Sequence, residues 1–196
     1  MIGIGISGIA RAGKDTLAGC FKKIIEEEFG CEVEIVSLAK QLKSDLEEVI
    51  ASNFEFDVYT ENTKDKNLIR PILVAYGESM KEKWGNKIWI EKLTKSLEKR
   101  KKKKFYILAD VRFDFEAIYL TEQYNAEIIH ISKDGNEYVN EIEKINDPLV
   151  QELSHQKQTW PPYHPDEHEK CQSHAEIYWQ MIPHYKKEEW KKIINS

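Results

Sequence analysis

The chain opens on a short run of small and branched apolar residues, Met1 to Ser7, and breaks at Gly8 to Gly13. Such a run is the pattern of a central strand buried on both faces. Beyond the break, Leu17, Ala18, Phe21, Ile24 and Ile25 recur at helical spacing from Lys14 to Phe29. Gly30 follows, where a left-handed C-cap costs least. Val33 to Val36 predicts a second strand, and Ala39 to Ala51 a helix with Leu38, Leu42, Leu46, Val49 and Ile50 lining its inner side. The stretch Ser52 to Lys66 is polar and reads as irregular. Helical spacing returns from Ile69 to Met80 and from Trp89 to Leu97, with Gly85 and Asn86 turning between them.

Phe105 to Ala109 predicts another buried strand, Phe113 to Tyr124 a helix, and Glu127 to Ile131 a further strand. The rhythm then stops. Residues 134 to 176 carry Gly135, Pro148, Pro161, Pro162 and Pro165 among many charges, the profile of a long functional insertion. Ile177 to Ile182 is expected as the last strand and Lys187 to Ile194 as a closing helix. Strands alternating with helices predict an α/β chain: a three-layer fold around a central, mostly parallel five-stranded sheet. One domain, 1–196, is expected, with a helical region at 38–100 and a lid-like insertion at 134–176.

Composition narrows the options. A length of 196 residues suits one core, and a formal net charge of −5 argues against a general nucleic-acid binder, which needs surplus Lys and Arg. No apolar run approaches the ~20 residues that span a bilayer, and MIGIGISG lacks the basic start of a signal peptide. Cys20, Cys31 and Cys171 are too few and scattered for a disulfide framework. The expected compartment is the cytoplasm, with neither membrane nor nucleic acid as partner; the chain is expected as a monomer or homodimer.

The sharpest chemical signal is Gly8-Ile-Ala-Arg-Ala-Gly13-Lys14, a GxxxxGK loop between the first strand and the first helix. Backbone N–H groups of such a loop surround phosphate oxygens while the following helix adds the positive end of its dipole. Gly8, Arg11, Ala12, Gly13, Lys14, Asp15 and Thr16 are therefore the expected ATP phosphate site, with Lys14 reaching the β and γ oxygens. A P-loop kinase-like fold follows. Gly3, Gly5 and Gly8 formally match GxGxxG as well, but Gly3 and Gly5 lie inside the strand, whereas a dinucleotide fingerprint must follow it. Asp15 stands where Ser or Thr usually holds Mg²⁺, and its expected role is a water-bridged one.

Gly8-Ile-Ala-Arg-Ala-Gly-Lys-Asp-Thr16 resembles the bacteriophage-type deoxynucleoside monophosphate kinases, in which Asp and Thr also follow the P-loop lysine. Ile107-Leu-Ala-Asp-Val-Arg-Phe113, followed by Glu116-Ala117, is similar to that family's strand-end Asp-x-Arg-Phe segment, and Arg70 to Gly77 with Trp89 to its Arg-bearing helix. The resemblance covers about residues 1 to 133 and implies transfer of the ATP γ-phosphate, with Mg²⁺, to a deoxynucleoside monophosphate. Lys14, Asp110 and Arg112 are then the expected catalytic residues. Arg112, past a strand's C-terminal end, can grip an acceptor phosphate with its guanidinium fork, and Asp110 can orient it or hold Mg²⁺ through water. Arg70 joins the acceptor site by resemblance alone, and Lys40 or Lys43 would form the floor of that pocket, within the 38–100 region. In the lid-like insertion Lys133 and Lys157 are the candidate phosphate contacts, since no arginine follows Arg112. Two alternatives share the loop: a small-metabolite kinase of dephospho-coenzyme A or phosphomevalonate type, and a non-catalytic nucleotide-binding module.

His164, His168, Cys171 and His174 have the residue types of a zinc site on one helical arc, but their spacing matches no standard finger. Solvated side chains are the favoured reading, with zinc the alternative. The basic run Lys99 to Lys104 reads as a solvated turn rather than a nucleic-acid patch.

Overall fold

The structure is a computed structural model, which describes residues 1–100, 104–161 and 167–196. His164 and the middle of the basic run, Lys101 to Lys103, lie outside the described residues. The chain divides into two compact units, 1–36 with 101–196, and 37–100.

The first unit is built on five parallel strands: β1 (Ile2–Ser7), β2 (Val33–Val36), β3 (Phe105–Val111), β4 (Glu127–Ser132) and β5 (Gln156–Thr159). Their order is β2-β3-β1-β4-β5. β1 is central and every one of its residues is buried, which is why it reads as an unbroken apolar run. Small side chains are required at Gly5, where an added Cβ would meet Ile128 and Leu120 at 2.8 and 3.1 Å.

Helix α1 (Lys14–Phe29) packs on the sheet through the faces listed by its periodicity and ends at Gly30, whose φ of 63° and N–H bond to the Glu26 carbonyl close the last turn. The helices of this unit that follow the second unit are α5 (Asp114–Tyr124), α6 (Glu141–Leu153), α7 (His168–Met181) and α8 (His184–Asn195). α7 lies against α1: Trp179 sits 6.3 Å from Phe21 and 5.7 Å from Phe29 between ring centroids, and Trp190 of α8 meets Phe105 edge to face at 5.4 Å. At α8 the buried Lys186 pairs with the buried Glu127 of β4 at 2.9 Å.

The second unit is all-helical: α2 (Leu38–Phe54), α3 (Thr63–Trp84) and α4 (Ile88–Glu98). Ser37 and Asn62 cap α2 and α3, each accepting a backbone N–H in the first turn. Leu46, Ile50, Val58 and Ile69 form its small core.

The α/β architecture and the parallel five-stranded sheet match the expectation; the last strand does not. Ile177 to Ile182, expected as β5, belongs to α7 and its cap, and β5 is Gln156–Thr159, inside the expected insertion. The described residues of 134–176 therefore supply α6, an edge strand, the first part of α7 and the loops beside them. Gln-Lys-Gln-Thr carries no apolar signal because an edge strand is held by backbone pairing to β4 on one side and by the buried Trp160 beyond it.

Candidate active site

The phosphate loop leaves the central strand at the point where the chain's crossovers diverge, β1 having β3 on one side and β4 on the other. Gly8 (φ 136°), Arg11 (φ 64°) and Gly13 (φ 96°) all adopt positive φ, the backbone conformation from which anion-binding nests of N–H groups are built. Gly8 is required for a second reason: a Cβ there would come within 2.2 Å of the Ile131 carbonyl oxygen of β4. Lys14 opens α1 and folds back across the loop, donating to the carbonyls of Gly8 at 2.7 Å and Ile9 at 2.8 Å. Burial, then the Arg112 charge, lowers its pKa from the ordinary lysine value. Asp15 and Thr16 are exposed in the first helical turn, and Ala12 is fully buried beneath the loop.

At the end of β3, Asp110 is half-buried and Arg112 exposed. Lys14, Arg112, Gly8 and Ile9 line one cavity of about 40 Å³, closed by Glu143 and Asp147 of α6. The geometry thus gathers Lys14, Arg112 and the loop, as the sequence implies.

The two α6 carboxylates carried no motif, yet they stand in the same cavity. Asn140 caps α6 by accepting the Glu143 N–H at 2.9 Å. Asp147 also faces His130 of β4, Oδ2 to Nε2 at 3.8 Å, and the other His130 nitrogen, Nδ1, lies 3.1 Å from the Ser7 hydroxyl. Burial, reinforced by Glu143, raises Asp147 to about 6 against the opposing pull of Lys14. Burial and the charges of Lys14 and Lys157 lower His130 to about 4. At neutral pH His130 is therefore neutral and Asp147 ionised. The tautomer that suits both neighbours carries its proton on Nε2, toward Asp147, and accepts the Ser7 proton at Nδ1.

The other expected residues fall as follows. Lys40 and Arg70 are exposed on α2 and α3 of the second unit, and Lys43, half-buried, lies 5.6 Å from the Tyr59 ring centroid. Lys133 follows β4, its carbonyl accepting the Asn136 N–H at 3.1 Å; the Asn136 side chain in turn donates to Ala10 of the loop at 3.3 Å. Lys157 is exposed on β5. Of the four residues of the zinc alternative, His168, Cys171 and His174 fall in α7, and His164 lies outside the described residues. Among the described residues no three His, Cys, Asp or Glu side chains converge on a metal position. Cys171 is turned into the core beside Ala175 and Trp179, and His174 contacts the Lys170 carbonyl at 3.2 Å, because packing of α7 on α1 selects which face is buried.

A parallel sheet with a glycine phosphate loop at its central strand, a lysine opening the next helix and an Arg at the adjacent strand end define a P-loop kinase. Residues 6–126 match the sequence profile of phosphomevalonate kinase. The chain belongs to that family. Among solved structures, the dephospho-CoA kinase from Campylobacter jejuni aligns at a TM-score of 0.42 with 13% identity, covering 93% of this chain and 98% of that one. No curated protein matches the sequence significantly.

Proposed function

We propose that the protein transfers the γ-phosphoryl group of ATP, with Mg²⁺, onto the phosphate of a small phosphomonoester, a deoxynucleoside monophosphate, giving the diphosphate. One observation carries this reading: Lys14 of the loop and Arg112 of the neighbouring strand end line the same cavity. Phosphoryl transfer asks mainly for alignment and charge neutralisation, and two cations, one opening α1 and one following β3, would supply them on either side of the transferred group. Lys14 would exchange its two loop carbonyls for phosphate oxygens, and Arg112 would grip the acceptor phosphate with its planar fork.

Magnesium binds through one or two protein carboxylates plus substrate phosphates. Asp15 and Asp110, both close enough to act electrostatically on Lys14, would hold its waters. The place of Glu143 and Asp147 in the cavity wall supports a lid role for the 134–176 segment: two carboxylates oppose a polyphosphate, so they would draw back as nucleotide enters. Lys133, just before that segment, and Lys157, within it, are the candidate phosphate contacts there, and Lys40 and Arg70 remain acceptor candidates on the helical unit.

Family membership favours a second acceptor, phosphomevalonate, which presents the same phosphomonoester to the same Arg. Coupled ADP-release assays with dAMP, dCMP, dGMP, dTMP, phosphomevalonate and dephospho-CoA separate the acceptors. Turnover dependent on a deoxynucleotide supports the first reading, turnover on phosphomevalonate alone replaces it with the second, and ATP binding without turnover on any of them leaves a nucleotide-binding module.

A further inference from the structure

We propose that Glu116 is a positioning residue for the acceptor: its carboxylate sets the backbone from which Arg112 projects into the phosphate cavity. The proposal rests on the acceptor role given to Arg112 above.

Glu116 is the third residue of α5 and is buried to 5% exposure. A single oxygen, Oε2, accepts both the Arg112 N–H at 2.8 Å and the Phe113 N–H at 3.1 Å. The Glu116 N–H donates back to the Phe113 carbonyl at 3.1 Å. One side chain thus ties the end of β3 to the start of α5 across the only two peptide units where Arg112 could pivot. An N3 glutamate returning to the N-cap N–H is half of a capping box. Here the other half is missing, because the N-cap is Phe113, which has no side-chain acceptor.

Helix capping alone does not account for the second bond. The Arg112 N–H lies outside the helix, at the strand end, so its capture stabilises the arginine's backbone rather than the helix. Burial pushes the Glu116 carboxyl up to about 7 in spite of the two N–H bonds, which favour the ionised form. A chain that spends a buried carboxylate on a surface arginine's backbone gains placement of that arginine, and phosphoryl transfer is sensitive to displacements of ~1 Å, which can cost ~10²-fold.

Because both bonds fall on Oε2, a glutamine can accept both through its amide oxygen, whereas Ala accepts neither and Asp is one methylene too short. Four variants test the idea: E116Q, E116A, E116D and R112A, with the double variant E116A/R112A. Two measurements are made on each. The first is steady-state kinetics with ATP and whichever of the panel acceptors turns over; the second is titration with inorganic phosphate followed by calorimetry and, in the variants that keep Arg112, by its side-chain NMR signal.

Acceptor kcat/KM is expected to fall by roughly 10-fold or more in E116A or E116D, with ATP KM within about twofold of the parent and E116Q close to the parent. Phosphate affinity should fall in parallel. In the double variant E116A should add nothing to R112A, the non-additivity expected of residues acting as one unit. A merely structural glutamate would lower the melting temperature while its kinetic effect added to that of R112A, and that result overturns the proposal. If E116A does not fold, E116D carries the same comparison. If R112A itself leaves acceptor kinetics and phosphate binding unchanged, the acceptor assignment of Arg112 fails and this inference with it; if R112A is impaired but E116A and E116D are not, only the inference fails.

Discussion

Gly13 lies directly beneath the indole of Trp160: a Cβ at residue 13 would come within 2.5 Å of the indole Cδ1. The Trp160 backbone N–H donates to the Ser132 carbonyl at 2.7 Å, so the edge of the sheet buttresses the phosphate loop. Gly13 also sits at φ 96°, where a side chain is strained. Gly13→Ala therefore meets both a clash and a backbone penalty of ~1–3 kcal/mol. We expect ATP affinity to fall about tenfold or more in calorimetry, with Trp160→Phe in the same chain recovering only the part due to the clash.

Lys14 has its ammonium inside the loop, bonded to two carbonyls of that loop. Lys14→Ala removes the cation that would meet the β and γ oxygens while leaving the glycine geometry intact. A fall in kcat of roughly 10²–10³-fold is expected in the ADP-release assay, the scale seen when one charge-stabilising donor is lost, with the circular dichroism spectrum unchanged.

Asp147 gives a pH signature. Its carboxyl is raised from 3.8 to about 6, so the folded state binds the proton more tightly than the unfolded chain. The stability it contributes is complete below about pH 4 and is lost as pH rises through about 6. His130, lowered from 6.5 to about 4, acts in the opposite sense: the unfolded chain takes up its proton first, so stability from neutral His130 is gained between about pH 4 and 6.5. Asp147→Asn should isolate the histidine contribution, leaving a melting temperature that climbs more steeply from pH 4 to 6.5 than that of the parent. Above pH 6 the same variant removes a negative charge from the phosphate cavity and should bind ATP more tightly; weaker binding would refute the view that this carboxylate opposes the nucleotide.

Lys186 and Glu127 form a buried pair at 2.9 Å, and Gln156 of β5 adds a hydrogen bond to the other Glu127 oxygen at 3.4 Å. Removing one partner strands a buried charge. Lys186→Ala should cost ~3–5 kcal/mol, a drop of roughly 10 °C in Tm for a chain of this size. Lys186→Met with Glu127→Leu should recover much of it, since no unpaired charge remains, and thermal scans of the two variants decide the point.

The local half of this protein is written in its sequence. An apolar run, a glycine break and a helical period are set by neighbours within a few residues, so β1, the phosphate loop, α1 and the β3 segment ending at Arg112 can be read along the chain. The same holds for Lys14, whose place at the start of a helix follows from its position after Gly13. What only the tertiary structure decides is which distant groups share a space. β5 is polar Gln-Lys-Gln-Thr because its partner is β4, 27 residues away by register from Ile129 to Gln156, and no local period reports that pairing. Glu143, Asp147 and His130 meet the loop only because α6 crosses β1 and β4, and Cys171 is a core residue because α7 packs on α1. Backbone geometry is a short-range property, whereas burial and charge proximity depend on chain crossovers that side-chain spacing does not encode.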